Sequence, residues 1–135
     1  MKSRTIPIDK FMESALYDKK RGYYSSRNPF GKSGDFITSP GVSPLFSEML
    51  AIWIISFWEN LDKPKKFNIV ELGPGDGELC KVLIKTFKRF PDFYSSANIF
   101  LYEKSKILKD IQKNKIKEKN VNWLKNISEI KNGPI

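Results

Sequence analysis

Seven consecutive residues, Glu71-Leu72-Gly73-Pro74-Gly75-Asp76-Gly77, combine three glycines with two carboxylates. They follow a short apolar run and precede an amphipathic segment, so they read as a strand-to-helix turn. In such a turn Gly73 can bend the chain off the strand, Gly75 lets a ligand approach the backbone, and Gly77 lets the helix begin tightly. A small, flat ligand lying over the turn is the expectation. The dinucleotide fingerprint G-x-G-x-x-G/A asks for a small residue at position 78, where Glu78 stands. Pro74 removes one backbone N–H, and Asp76 and Glu78 place negative charge where a pyrophosphate would lie. The turn therefore disfavours phosphate and suits a ligand that brings positive charge.

Glu103 stands at the end of the next apolar run. A carboxylate at a strand end beside such a turn can accept hydrogen bonds from both hydroxyls of a ribose. S-adenosyl-L-methionine meets both requirements, because it carries a ribose together with a sulfonium and an ammonium that carboxylates stabilise. The pattern E-x-G-x-G-x-G followed by a strand-end acid is more specific than either part. Cys80, one turn into the following helix, reads as a small core residue. With no histidine in the chain, a His base, a Ser-His-Asp triad and a His-based metal site are excluded, and no metal is expected.

The elements that must position these residues can be traced along the chain. Residues 8–18 read as a short helix capped by Asp9, with Phe11, Met12, Ala15 and Leu16 on one face. Residues 19–42 read as a long irregular stretch, of a length that in compact domains is often functional. Ser43-Pro44 signals a helix start, and the helix runs to about residue 61 with an apolar surface nearly all round. A polar linker over residues 62–66 follows. Strands are expected at 67–72, 98–102 and 121–124, and helices at 77–89, stopped by Pro91, and at 105–118. Alternating strand and helix implies an α/β fold with parallel pairing. Asn132-Gly133-Pro134 reads as a turn.

Composition narrows the class. The chain has 135 residues, one cysteine and a formal charge of +9, enough for one domain with a core but no disulfide scaffold. The longest apolar run, residues 50–55, is far short of the roughly 20 residues that span a bilayer, so no membrane span is expected. No signal peptide is visible. Residues 104–119 hold seven lysines and two acids. No aromatic lies among them to stack a base, so they read as a solvated helix face and no nucleic-acid partner is expected.

The residues resemble the MidA family of S-adenosylmethionine-dependent methyltransferases, whose mitochondrial members are complex I assembly factors. The resemblance rests on Phe11-Met12, Ala15-Leu16-Tyr17-Asp18, Gly22-Tyr23-Tyr24, Phe30-Gly31, Gly34-Asp35-Phe36-Ile37-Thr38-Ser39-Pro40, Ser43 and Phe46. It continues through Val70 to Gly77, then Tyr102-Glu103, Ser105, Leu108 and Gln112. Two departures are Gly41, where the family carries an acid, and Ser47, where it carries glycine. The family's Asn-Glu-Phe-Phe-Asp-Ala-type fourth-strand motif is absent, so the resemblance implies a truncated fragment.

The implied architecture is a Rossmann-like class I methyltransferase fold with its first three parallel strands only, behind a helical and loop N-terminal arm. Residues 1–62 would form the arm and long helix, and residues 63–135 the first half of the cofactor domain. The 34–40 loop is implied to fold over S-adenosyl-L-methionine, with Asp35 and Thr38 as contacts beside Glu71, Gly73, Gly75, Gly77 and Glu103. The implied activity is methylation of arginine in a protein partner, of respiratory complex I subunit type. The implied location is the bacterial cytoplasm, or the mitochondrial matrix if the protein is eukaryotic. Orienting a guanidinium and taking its proton requires carboxylates. Glu71 and Asp35 are the near candidates, and the catalytic residues are left unassigned, in the part of the family's length that this chain lacks. The alternative reading is a non-catalytic fragment or degenerate relative acting as a cofactor- or partner-binding module.

Overall fold

A short parallel sheet carries the architecture. The computed structural model describes residues 5–31 and 33–130. The strands are β1 (Phe67–Leu72), β2 (Ala97–Tyr102) and β3 (Val121–Leu124), in spatial order β1-β2-β3. Both pairs are parallel, with Phe67 opposite Ala97 and Ile99 opposite Val121. The expected turn at Asn132-Gly133-Pro134 lies outside the described residues.

The arm consists of α1 (Ile8–Tyr17), α2 (Tyr23–Ser26) and α3 (Ser39–Val42). The last two are single turns inside the stretch expected to be irregular. Asp9 lies inside the first turn of α1, and Pro7 occupies the cap position without a side-chain bond, so the expected Asp9 cap does not form. Phe11 and Met12 on its apolar face remain exposed. The arm is held by rings instead: Tyr24 stacks between Tyr17 and Phe30, at centroid distances of 5.7 and 6.4 Å.

Helix α4 (Pro44–Asn60) begins as its sequence dictates, with Pro44 in the first turn and the Ser43 hydroxyl accepting from the Leu45 N–H at 3.2 Å. Only one stripe of its apolar surface is covered. Ala51, Ile55 and Trp58 join Phe67, Leu83, Phe87, Phe93, Ile99 and Leu101 in one core, whereas Met49 and Trp53 are 62% and 63% exposed. Ser47 is fully buried on the covered stripe, and its hydroxyl has no hydrogen-bond partner among the described residues.

Helix α5 (Glu78–Phe87) follows β1 and packs on α4. Pro91, expected as a stop, opens a further short helix, α6 (Pro91–Ser96). Proline tolerates a first-turn position because its missing N–H would have no partner there. Helix α7 (Lys106–Lys115) is capped by the Ser105 hydroxyl, which accepts from the Leu108 N–H at 3.3 Å. No helix among the described residues is long and apolar enough to cross a membrane.

Candidate functional site

The carboxyl ends of β1 and β2 meet in one place. The Gly73 N–H donates to the Tyr102 carbonyl at 2.9 Å, so the turn after β1 starts beside Glu103, the residue after β2. Gly73, Gly75 and Gly77 all have positive φ, at 66°, 57° and 79°, a region that side-chain-bearing residues occupy only at a cost. Their surroundings differ. A Cβ on Gly73 would meet nothing within 4 Å, whereas one on Gly75 would stand 3.3 Å from the Phe30 ring. Gly73 therefore borders open space, while Phe30 of the arm covers the side of Gly75 that a Cβ would occupy. A Cβ on Gly77 would lie 3.2 Å from Gln112 Cγ and 3.3 Å from Ile116 Cδ1, so here glycine permits close packing on α7.

Glu103 is 7% exposed. Its Oε1 accepts from the Ser105 N–H at 2.8 Å and its Oε2 from Gln112 Nε2 at 3.3 Å. A carboxylate oxygen has two acceptor positions, so each retains one for a further donor. Gln112 also donates to the Gly75 carbonyl at 2.7 Å and accepts from Trp123 Nε1 at 3.0 Å. Sequence reading gave this residue no role. The available signal is its place one turn after Leu108, a polar residue on the buried stripe of an amphipathic helix.

Glu71 is held differently. It lines a cavity of about 120 Å³ with Leu50, Ile54, Leu79, Cys80 and Leu83, and its Oε2 has no partner among the described residues. Burial, with a smaller contribution from nearby Asp76, pushes its pKa up to about 7. Burial likewise raises the Cys80 thiol, with Glu71 adding to the effect, so this sulfur is a core residue rather than a thiolate.

Asp76 and Glu78 do not offer free charge to a ligand. Lys115 Nζ reaches Asp76 Oδ2 at 2.9 Å and Glu78 Oε2 at 3.0 Å, across more than thirty residues of sequence. Burial opposes the charge on Lys115, but its bonds to the two carboxylates outweigh that and hold its pKa above the ordinary value. Of the carboxylates without a lysine, Glu103 stands beside the turn, while Glu71, with its pKa near 7, is only partly ionised at neutral pH.

The arm crosses this region. The Ser105 hydroxyl donates to the Tyr24 carbonyl, α2 packs on α7, and α3 packs on α5. Asp35 binds within the arm, accepting from the Tyr23 hydroxyl and pairing with Arg27 Nη2 at 2.7 Å. Thr38 precedes α3 at its cap position, without a side-chain cap bond. The structure thus brings Gly73, Gly75, Gly77 and Glu103 together, sets Glu71 at their flank, and leaves Asp35 and Thr38 on the covering arm. Among the described residues no cluster of three or more His, Cys, Asp or Glu could hold a metal ion.

Residues 49–135 match the model of the family described as "Putative S-adenosyl-L-methionine-dependent methyltransferase". The chain belongs to this family. It is 42% identical over 85 residues to the Drosophila melanogaster protein named "Protein arginine methyltransferase NDUFAF7 homolog, mitochondrial", a match covering 63% of this chain and 20% of the relative. Against the Xenopus laevis protein named "Protein arginine methyltransferase NDUFAF7, mitochondrial" it is 38% identical over 118 residues, covering 86% of this chain and 27% of the relative. The chain thus spans about a quarter of the length of these relatives or less. A crystal structure from Burkholderia thailandensis, of a "likely methyl transferase" bound to S-adenosyl-homocysteine, superposes with a TM-score of 0.73 at 26% identity. That match covers 90% of this chain and 33% of the other. The family and its α/β Rossmann-like fold agree with the expectation from the turn and the strand-end acid.

The residues present fit the family's cofactor. Open space over Gly73 leaves room for a ligand at the turn, and the buried Glu103 carboxylate keeps unused acceptor positions beside it. Glu71 adds an unpaired carboxyl oxygen at the flank.

Proposed function

We propose that this chain forms the cofactor-binding portion of an S-adenosyl-L-methionine-dependent methyltransferase whose acceptor is an arginine of a protein partner. The acceptor class is supported by the names of the fly and frog relatives, and the earlier resemblance extends it to a respiratory complex I subunit. One observation carries the cofactor reading: a buried strand-end carboxylate, Glu103, stands beside a glycine turn with free space above Gly73.

In this reading Glu103 accepts from the ribose hydroxyls, Gly73 admits the nucleoside to the backbone, and Glu71 in its ionised form supplies negative charge toward the cationic end. Gly75 and Gly77 shape the turn through Phe30 and α7. Bound there, the cofactor supplies an electrophilic methyl group on a positively charged sulfur. Asp35 and Thr38 act through the arm, which covers the Gly75 side of the turn with Phe30 and so keeps water from that side, favouring a displacement that loses charge. Asp35 orders the arm through Tyr23 and Arg27.

Calorimetry with S-adenosyl-homocysteine on the intact protein tests this. Binding is expected, and Glu103→Ala is expected to weaken it at least about tenfold, the loss of one charge-assisted hydrogen bond or more. Equal affinity in both proteins would remove the ribose assignment.

A further inference from the structure

Gln112 is completely buried and uncharged, yet all of the polar bonds of its side chain go to neighbours outside its own helix. The orientation of its amide is set by chemistry. Trp123 Nε1 can only donate, so Oε1 faces Trp123 and Nε2 faces the two acceptors, the Gly75 carbonyl and Glu103 Oε2. Both hydrogens of Nε2 are used. One side chain therefore links the turn after β1, the end of β2 and strand β3, while its Cγ packs against Gly77. A leucine or methionine would fill the same volume at no polar cost. Burying an amide is favourable only where its partners need it.

We propose that Gln112 is a positioning residue of the cofactor site: it holds the Glu103 carboxylate at a set separation from the glycine turn, with Trp123 fixing the amide's orientation. The inference rests on the reading of Glu103 as the ribose acceptor. A nucleoside gripped at once by turn and carboxylate needs that separation fixed before it arrives, which lowers the ordering cost of binding.

The test is a double-mutant cycle on the intact protein, read as calorimetric affinity for S-adenosyl-homocysteine. Gln112→Met is expected to weaken binding about tenfold when Glu103 is present and less than about threefold in the Glu103→Ala background. A merely structural role would give the same fold-loss in both backgrounds, and that result overturns the inference. Should Gln112→Met fail to fold, Trp123→Phe carries the same cycle. It removes only the orienting donor, with about a threefold loss expected in the presence of Glu103 and none in its absence. Equal losses there also overturn the inference. Failure of the unsubstituted protein to bind the nucleoside at all would instead defeat the proposed function, and this inference with it.

Discussion

Glu71, next to last in β1, is half-buried with one oxygen enclosed, Glu103, the residue after β2, is buried, and the protein surrounds the two in opposite ways. Glu103 accepts from a backbone N–H and from the Gln112 amide, and its neighbours are tied to three strands. Glu71 faces leucines, an isoleucine and a cysteine, and one of its oxygens has no partner among the described residues. The same residue type, two register positions apart at neighbouring strand ends, gives a settled acceptor on one side and a carboxyl raised to about 7 on the other. The difference comes from what packs alongside. Helix α7 brings a polar side chain to the sheet, whereas α4 and α5 bring apolar ones. A buried carboxylate without donors is a cost to folding, and such costs gather at sites that act on ligands.

The largest effect is expected at Glu71. Its pKa in the fold, about 7, lies above the ordinary 4.5, so the native state binds the proton more tightly than the unfolded chain. This group's contribution is therefore fully present below pH 4.5 and is lost as pH rises toward 7. That loss is at most on the order of 3 kcal/mol. Urea denaturation at pH 5 and pH 8 should show the unsubstituted protein losing more stability than Glu71→Gln by up to this amount. Identical pH dependence in the two proteins would show that Glu71 is not buried as described.

A smaller effect sharpens the view of the Glu103 side as closely built. Gly77→Ala meets both a left-handed backbone and the Gln112 and Ile116 side chains, and is expected to cost about 2–3 kcal/mol. Gly73→Ala meets the same kind of backbone but open space, so about 1–2 kcal/mol is expected. Equal midpoints in thermal denaturation would contradict the packing difference. The smallest effect concerns Lys115. Lys115→Met unpairs Asp76 and leaves Glu78 only Lys81 at 3.5 Å, both carboxylates being about one quarter exposed, and should cost about 0.5–1 kcal/mol, shrinking as salt is added. A cost that salt leaves unchanged would assign the lysine a packing role instead.

Much of this was readable from residue order where the information is local. The strands at 67–72 and 121–124 have the expected bounds, because short apolar runs with β-branched members lie between polar segments. Ser43-Pro44 opens α4 as its chemistry requires. Reading failed where partners come from far along the chain. Asp76 and Glu78 looked like free charge because their lysine lies 39 and 37 residues away. Gln112 carried the family resemblance but no role, because its three partners lie elsewhere in the chain. Pro91 read as a stop, since a proline that ends one helix and one that begins the next are locally alike. The packing of Phe30 beside Gly75 was equally illegible, because nothing local brings that ring to the turn.

The central claim, that Glu103 and the glycine turn together grip a ribonucleoside, is tested most directly by a crystal structure of the intact protein with S-adenosyl-homocysteine. The ribose hydroxyls are expected within hydrogen-bond distance of both Glu103 oxygens, with the nucleoside over Gly73. Electron density placing the nucleoside elsewhere, or leaving Glu103 bonded only to Ser105 and Gln112, would contradict it.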